Sequence, residues 1–411
     1  MSFAGDYPGG AAVLMSTFRT FSKDGVFVIP DAKALFENNA PPPNITTIET
    51  ETLWPNMVTF LPPDTFPHND DDDDDAVSGF VLVAGGFLVP GKGKGTVDIY
   101  EVRGAGGASF GPRVQVSAVK PGWFYHHAEP RDLNGDGRAD ILAARATKPA
   151  LPWQKASGEL VWFEQPAAGA LNASAGVPWP EHVLATGPGA PDVDFLFEDL
   201  DGDGREELVA TEFFSAKKLA LFSCREKSWA ACGTAAGQTP LDEVDVDASG
   251  DGPFFALSRV DLNGDGRKDL LVTNNRADGK GSVFAYEQPA DLSRGNWTRH
   301  TLATGFAPKK GIIPMPGLGA PGIAQAVRAN ATATGVADGK PLVLLSTDDG
   351  GAVVLLTPAS AAPGDWGYAQ SPVCSGTGTV GTPAVGDANG DGITDFFVPF
   401  YKDSKVEVWS F

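Results

Sequence analysis

The chain has 411 residues, and its 31 Lys plus Arg against 52 Asp plus Glu leave a net charge of −21, which argues against nucleic-acid phosphate as a partner and favours cations. An apolar share of 42%, with 25 Phe and 9 Trp, can fill a sizeable core and excludes a disordered chain. No run of about 18 apolar residues occurs, so no helical membrane span is expected.

The opening stretch, MSFAGDYPGGAAVLMSTF, lacks the basic-then-apolar order of a signal peptide. The protein is then either intracellular or one whose leader is absent from this chain. Sequons at Asn44, Asn172, Asn296 and Asn330 point to the second option, a secreted or luminal protein glycosylated at those residues. Cys224, Cys232 and Cys374 are too few for a disulfide framework; a Cys224 to Cys232 bridge and ordinary thiols both stay open.

In chain order, the best short helix candidate is DAKALFENN (31–39), and nearly everything else reads as strand. Val, Leu, Phe and Thr crowd into runs of about 4–8 residues split by Gly, Pro, Asn and Asp clusters, with 50 Gly and 33 Pro in the chain. DLNGDGRAD from Asp132 recurs as DLDGDGREE from Asp199, DLNGDGRKD from Asp261 and DANGDGITD from Asp387, at separations of 67, 62 and 126 residues. The last interval spans two periods, and its missing copy is expected in ANATATGVADGKPLVLLSTDDGGAVVLLTP (329–358), with a degraded loop but its strands kept. Counting back reaches the six-Asp run at Asp70–Asp75, expected to be a solvated acidic loop, and then the first residues. GELVWFEQPA (158–167) also answers GSVFAYEQPA (281–290), and WPEHVLATG (179–187) answers WTRHTLATG (297–305). DASGDGP (247–253) matches half of the acidic pattern and reads as a turn between units.

Four strands per unit at this period predict an all-β, seven-bladed β-propeller of four-stranded antiparallel blades, six blades being the alternative. The units run 1–53, 54–118, 119–185, 186–248, 249–313, 314–378 and 379–411 in a single domain. The last unit offers only three strands, so either that blade has three or an N-terminal strand completes it.

The acidic loops place oxygen at alternating positions, with Gly at position 6 allowing the tight turn, and Ca²⁺ accepts six to eight such ligands. The expected ligands are Asp132, Asn134, Asp136 and Asp140 with the Arg138 carbonyl; Asp199, Asp201, Asp203 and Glu207 with that of Arg205; Asp261, Asn263, Asp265 and Asp269 with that of Arg267; and Asp387, Asn389, Asp391 and Asp395 with that of Ile393. An EF-hand is excluded, because the twelfth positions are Ala143, Ala210, Val272 and Val398, each inside a predicted strand.

On these loops and this period the chain resembles the FG-GAP/VCBS-type repeat β-propellers, which include integrin α-subunit heads and secreted lectin-like proteins. GPGAP (187–191), GLGAP (317–321) and GFAP (305–308) look like that family's second signature, with its Phe-Gly half poorly kept. The resemblance implies about four structural Ca²⁺ sites between the first two strands of blades, with ligands meeting the opposite face or the central channel.

Outside the repeat, PGWFYHHAEPRD places Trp123, Tyr125, His126 and His127 where a channel-lining strand begins. Asp192 and Asp194, Phe254 and Phe255, and Met315 fall at comparable places in the following units. Aromatic faces beside His and Asp suit a sugar or a second metal, or they plug the channel. His182 and His300 occupy matching repeat positions and read as structural. Three functions follow as expectations: a Ca²⁺-stabilised, non-catalytic extracellular module binding glycan or protein; a carbohydrate-active lyase- or dehydratase-like enzyme using His126 or His127 as acid/base; or a structural part of a larger extracellular assembly. No nucleophile elbow, HExxH, nucleotide loop or CxxC pair assigns a specific chemistry.

Overall fold

A computed structural model describes residues 1–19, 23–37, 43–67, 76–87, 91–104, 106–147, 155–166, 171, 177–309, 318–333 and 339–411. Seven sheets follow one another along the chain. The first joins β1 (Ser2–Ala4), β2 (Ala12–Thr17), β3 (Gly25–Ile29) and β4 (Thr46–Glu49) in sequence order. The second runs β5 (Pro55–Leu61), β6 (Val77–Gly85), β8 (Val97–Arg103) and β10 (Val114–Gln115), with β9 (Ser109–Phe110) also against β8. The third is β12 (Trp123–Arg131), β13 (Asp140–Thr147), β14 (Ser157–Phe163) and β15 (Glu181–Gly187), extended by β7 (Lys94–Gly95) and β11 (Lys120–Pro121).

Four-stranded sheets follow in β16 (Phe195–Glu198), β17 (Glu207–Thr211), β18 (Leu219–Ser223) and β19 (Asp242–Asp247); in β20 (Phe254–Val260), β21 (Asp269–Asn274), β22 (Gly281–Glu287) and β23 (Thr298–Phe306); and in β24 (Ala324–Val327), β25 (Leu342–Ser346), β26 (Ala352–Pro358) and β27 (Tyr368–Ser375). The seventh has three strands, β28 (Ala384–Gly386), β29 (Asp395–Phe400) and β30 (Lys405–Ser410). The chain is thus an all-β, seven-bladed propeller of four-stranded antiparallel blades. The six-bladed alternative falls, and β1 to β4 form a blade of their own rather than lending a strand to the last.

Among the described residues helix is confined to 3₁₀ turns such as Lys33–Phe36, which lies within the 31–39 candidate. No described helix is long and apolar enough to cross a membrane. DASGDGP is the connection from β19 to β20, as its Gly and Pro content requires.

Two compact units divide the described chain: Met1–Val193 with Cys224–Leu241 and Gly386–Asp391, and Asp194–Ser223 with Asp242–Val385 and Gly392–Phe411. In the first, β13 is buried at all but its last residue, and in the second β17, β21 and β29 are buried throughout. Burial on both faces explains why these second strands read as unbroken apolar runs instead of alternating ones. The first unit packs Phe80, Ile99, Ile141 and Phe163 in one cluster, and the second packs Val209, Leu221, Val272 and Phe284 in another.

The Gly-Ala-Pro fragments have a packing role. A Cβ on Gly158 of β14 would lie 2.4 Å from the Ala190 carbonyl, and one on Gly281 of β22 would lie 2.1 Å from that of Ala320. Both glycines open the third strand of a blade, and both carbonyls precede the proline of a GAP segment, so the motif is a docking point for backbone on backbone. Gly281→Ala is therefore expected to cost about 1–3 kcal/mol in a denaturant titration. Gly106→Ala, whose Cβ meets nothing within 4 Å, serves as the neutral control.

Candidate functional site

The acidic loops form the connection between first and second strands, and their folding is local. In the first loop Asp132 Oδ1 accepts the Gly135 and Asp136 N–H groups at 2.8 and 3.1 Å, and its Oδ2 accepts that of Gly137 at 2.9 Å. Asn134 and Asp136 accept the Asp136 and Arg138 N–H groups, both at 2.9 Å. Gly135 and Gly137 lie at φ 78° and 82°, the left-handed region that makes glycine obligatory for this winding. Asp199 and Asp203, and Asp261, Asn263 and Asp265, repeat the pattern, and Asp387 accepts Gly390 and Asp391 in the same manner.

The ninth position is different, because it starts the buried second strand. Asp140, Glu207 and Asp269 are buried, and each accepts the N–H of the position-two leucine, Leu133, Leu200 or Leu262, at 3.0–3.1 Å. Burial first, and the neighbouring loop carboxylates second, push Asp140 up to about 6 and Glu207 and Asp269 up to about 7. Asp199, Asp201 and Glu207 each offer an oxygen, all within 4.8 Å of one another, the spread a single bound cation requires. Residues Asp70–Asp75, Met315 and Asn172 lie outside the described residues.

The aromatic stretch of β12 is committed to an internal ion network in the first unit. Arg145 of β13 has a fully buried side chain that donates to Glu159 from Nε at 2.7 Å, to Glu181 at 2.8 and 2.6 Å, and to Tyr125 Oη at 2.9 Å. Lys120 adds a bond to Glu159 at 2.7 Å and sits 4.2 Å from the centre of the Trp123 ring. Burial works against the Glu181 carboxylate, yet the Arg145 hydrogen bonds and charge hold it below its ordinary range. Tyr125 is wholly buried and its hydroxyl is pushed up, chiefly by that burial. Tyr125 is thereby tied to the Arg145 network, and Trp123 carries the Lys120 cation on its ring. Asp192 is fully buried beside Gly158.

His126 and His127 stay partly exposed at a β-bulge of β12, with His127 Nε2 3.9 Å from Glu129. His182 stacks on Trp162 at 4.2 Å and reaches Glu164 at 3.0 Å; His300 stacks on Trp366 at 4.1 Å and lies 3.6 Å from Glu287. Both histidines thus hold the last strand of a blade in place.

Asp194 belongs to the second unit and lies in a cleft of about 370 Å³ walled by β20, β24 and the residues just before it. Its Oδ2 accepts the Leu257 N–H at 2.9 Å, and its main chain is paired with Thr211. Arg259 also lines the cleft but turns its guanidinium to Glu198, the Leu200 carbonyl and Gln288. Gln325 donates to the Pro383 carbonyl at 2.9 Å. Ser258 Oγ, shielded from solvent, has no hydrogen-bond partner among the described residues.

Beside the cleft, Gly322 precedes the lining residue Ile323 and its Cβ position falls 3.0 Å from Asp348 Cβ. Asp348 adopts φ 51°, accepts from Asn275 Nδ2 at 3.1 Å and neighbours Asp349, which binds Gly319 and Thr379. Burial, then the Asp349 charge, pushes the Asp348 carboxyl up to about 8. Sequence reasoning passed over Asp348 because STDDGG reads as a turn. Arg145 left a signal, a lone charge inside the apolar run ILAARAT.

Cys224 and Cys232 form a disulfide, and Cys374 is free. Asn44, Asn296 and Asn330 are exposed.

No family model and no curated protein matches the chain, so the FG-GAP/VCBS resemblance is not confirmed. Among solved structures, it is similar to an α-L-arabinanase of Penicillium chrysogenum complexed with arabinobiose, at 13% identity, TM-score 0.46, and coverage of 88% of this chain and 98% of that one. A glucose dehydrogenase matches at 11% identity and TM-score 0.45, over 90% of this chain and 99% of the other. The GH93 α-L-arabinofuranosidase of Fusarium graminearum with arabinobiose matches at 12% and 0.45, over 88% and 98%. At these identities no site residue of theirs carries over to this chain.

Truncating the buried cation of the β12–β13 network tests its role. Arg145→Ala is expected to lose about 3–5 kcal/mol, because two carboxylates are left without their shared partner. Equilibrium unfolding measures it, and a loss under about 1 kcal/mol, the range of an exposed pair, would refute the internal network.

Proposed function

We propose that this chain is a carbohydrate-active β-propeller, braced by Ca²⁺ at its acidic loops, that takes a glycan at the cleft beside Asp194. The observation that carries the reading is the cleft itself, where apolar walls surround a carboxylate, an amide and the unsatisfied Ser258 hydroxyl, the mixture that orients a polyhydroxylated ligand. Asp348 supports turnover over mere binding. With its carboxyl at about 8 it holds a proton at neutral pH, and a protonated carboxyl next to a sugar site is what a general acid requires. In this reading Asp194 positions the ligand, and Asp348, which like His126 and His127 does not line the cleft but adjoins it at Gly322, takes the acid role.

The disulfide and the exposed Asn44, Asn296 and Asn330 support a secreted or luminal setting, where bridges persist. A non-catalytic module binding glycan or protein is the second reading, favoured by the bonds that Arg259 and Gln325 already make within the protein.

For calcium, Asp132, Asp199, Asp261 and Asp387 with their third-, fifth- and ninth-position partners would each hold one ion, and the ion would neutralise the crowded carboxylates. Saturating Ca²⁺ is expected to raise the Tm and EGTA to lower it, since binding to the folded state alone adds about 2.7 kcal/mol of stability per site at a hundredfold excess over Kd. An unchanged Tm in both arms would remove the calcium reading.

Screening oligosaccharides by calorimetry and by reducing-end release tests the cleft. Wild type is expected to bind and cleave; Asp194→Asn should weaken binding, and Asp348→Asn should bind without cleaving. Binding without release by wild type would leave the non-catalytic module, and no binding to any glycan would sink both.

The same variant has a stability signature. Because the Asp348 pKa is raised in the folded state, its contribution is intact below the unfolded carboxylate range and is lost as pH rises through about 8. Asp348→Asn should therefore match wild type near pH 4 and exceed its Tm increasingly up to pH 9. Equal Tm values across that range would show that the carboxyl ionises freely.

A further inference from the structure

We propose that the turn DASGDG (247–252), which leads from β19 to β20, is a cation site filled by the protein itself: the Arg299 guanidinium stands where a divalent metal would, and removing it opens the site to Ca²⁺. The turn shares the first half of the acidic-loop pattern, with side-chain oxygen at positions one, three and five from Asp247, Ser249 and Asp251. Its winding is shared as well. Gly250 at position four lies at φ 89°, as Gly135 does at 78°, and the Asp251 N–H donates to Ser249 Oγ at 3.4 Å, as that of Asp136 donates to Asn134.

The three oxygens converge on one nitrogen. Arg299 Nη1 lies 2.9 Å from Asp247 Oδ2, 3.1 Å from Ser249 Oγ and 2.8 Å from Asp251 Oδ2. Arg299 stands on β23 opposite Tyr286 of β22, whose hydroxyl donates to the same Asp247 oxygen at 2.7 Å. Its guanidinium carbon lies 4.8 Å from the centre of the Phe284 ring, so the charge is held in place by stacking. Burial works against the Asp247 carboxylate, yet hydrogen bonds from Ser249 and Tyr286 and the Arg299 charge hold it below its ordinary range.

The main-chain oxygens of the turn are engaged too. Arg276 Nη1 donates to the carbonyls of Gly250, Asp251 and Gly252 at 3.4, 3.1 and 3.2 Å, and the seventh-position carbonyl, that of Pro253, accepts the Asn275 N–H at 2.9 Å. The first position shows the contrast with the other loops. Asp132, Asp199 and Asp261 accept backbone N–H groups, and among the described residues no Lys or Arg bonds their carboxylates. A loop that carries its own positive charge keeps its shape without a metal.

Equilibrium dialysis of the full chain against Ca²⁺ across the millimolar range, where extracellular modules bind it, counts the ions. Arg299→Ala and Arg299→Gln are each expected to hold one more Ca²⁺ per chain than wild type, and adding Asp251→Asn to either should remove that extra ion. Asp251→Asn alone should leave the wild-type count unchanged. Every readout is a difference from wild type, so the outcome is separate from whether the four other loops bind Ca²⁺. Folded Arg299 variants, checked by far-UV circular dichroism, that gain no ion overturn the proposal. A lower count in Asp251→Asn alone also overturns it, because the turn would then hold a metal beside Arg299.

Discussion

The buried carboxylate that opens the second strand is the interaction around which blades three, four and five are organised. Asp140, Glu207 and Asp269 each sit at the end of a loop dense in acidic groups and at the start of a strand buried on both faces. Burying such a group is costly unless it is hydrogen-bonded, and the position-two leucine N–H supplies that bond while its side chain is itself buried. One contact therefore fixes the loop's winding, the hairpin register and the depth of the strand. It also concentrates negative charge at one end of the blade, which is why a cation there would stabilise more than the loop.

The repeated parts of the molecule were legible in the sequence because each copy serves as a control for the others. Period, blade number, the loops and the structural reading of His182 and His300 came from comparing copies. The unique parts were not, because their meaning depends on segments far apart in the chain. Tyr125 looked like a ligand platform until Arg145, Glu159 and Glu181, from three other strands, were found around it. Asp348 looked like a turn residue, and only its approach to Asn275 and Gly322 separates it from any other Asp-Gly turn. The cleft has no motif at all, since Asp194, Ser258 and Gln325 come from three successive blades.

The two ends of a blade also differ in what they tolerate. At the loop end, the first-position Asp of each loop accepts a nearby backbone N–H, and that geometry is reproduced in four copies. At the other end, Asp348 combines a left-handed backbone, a raised carboxyl and an adjacent charge. Local strain and buried charge of this kind lower stability and persist where the surroundings enforce them, often at sites of function.

Blade seven carries this logic to the sheet edge. Elsewhere a fourth strand covers the third and satisfies its backbone, as β15 does for β14 through six registered pairs. In β30 the apolar residues were kept while the cover is missing from the described sheet. Within that strand Lys405 and Glu407, two residues apart, pair with each other at 2.6 Å, and Lys405 lies 4.7 Å from the centre of the Phe400 ring.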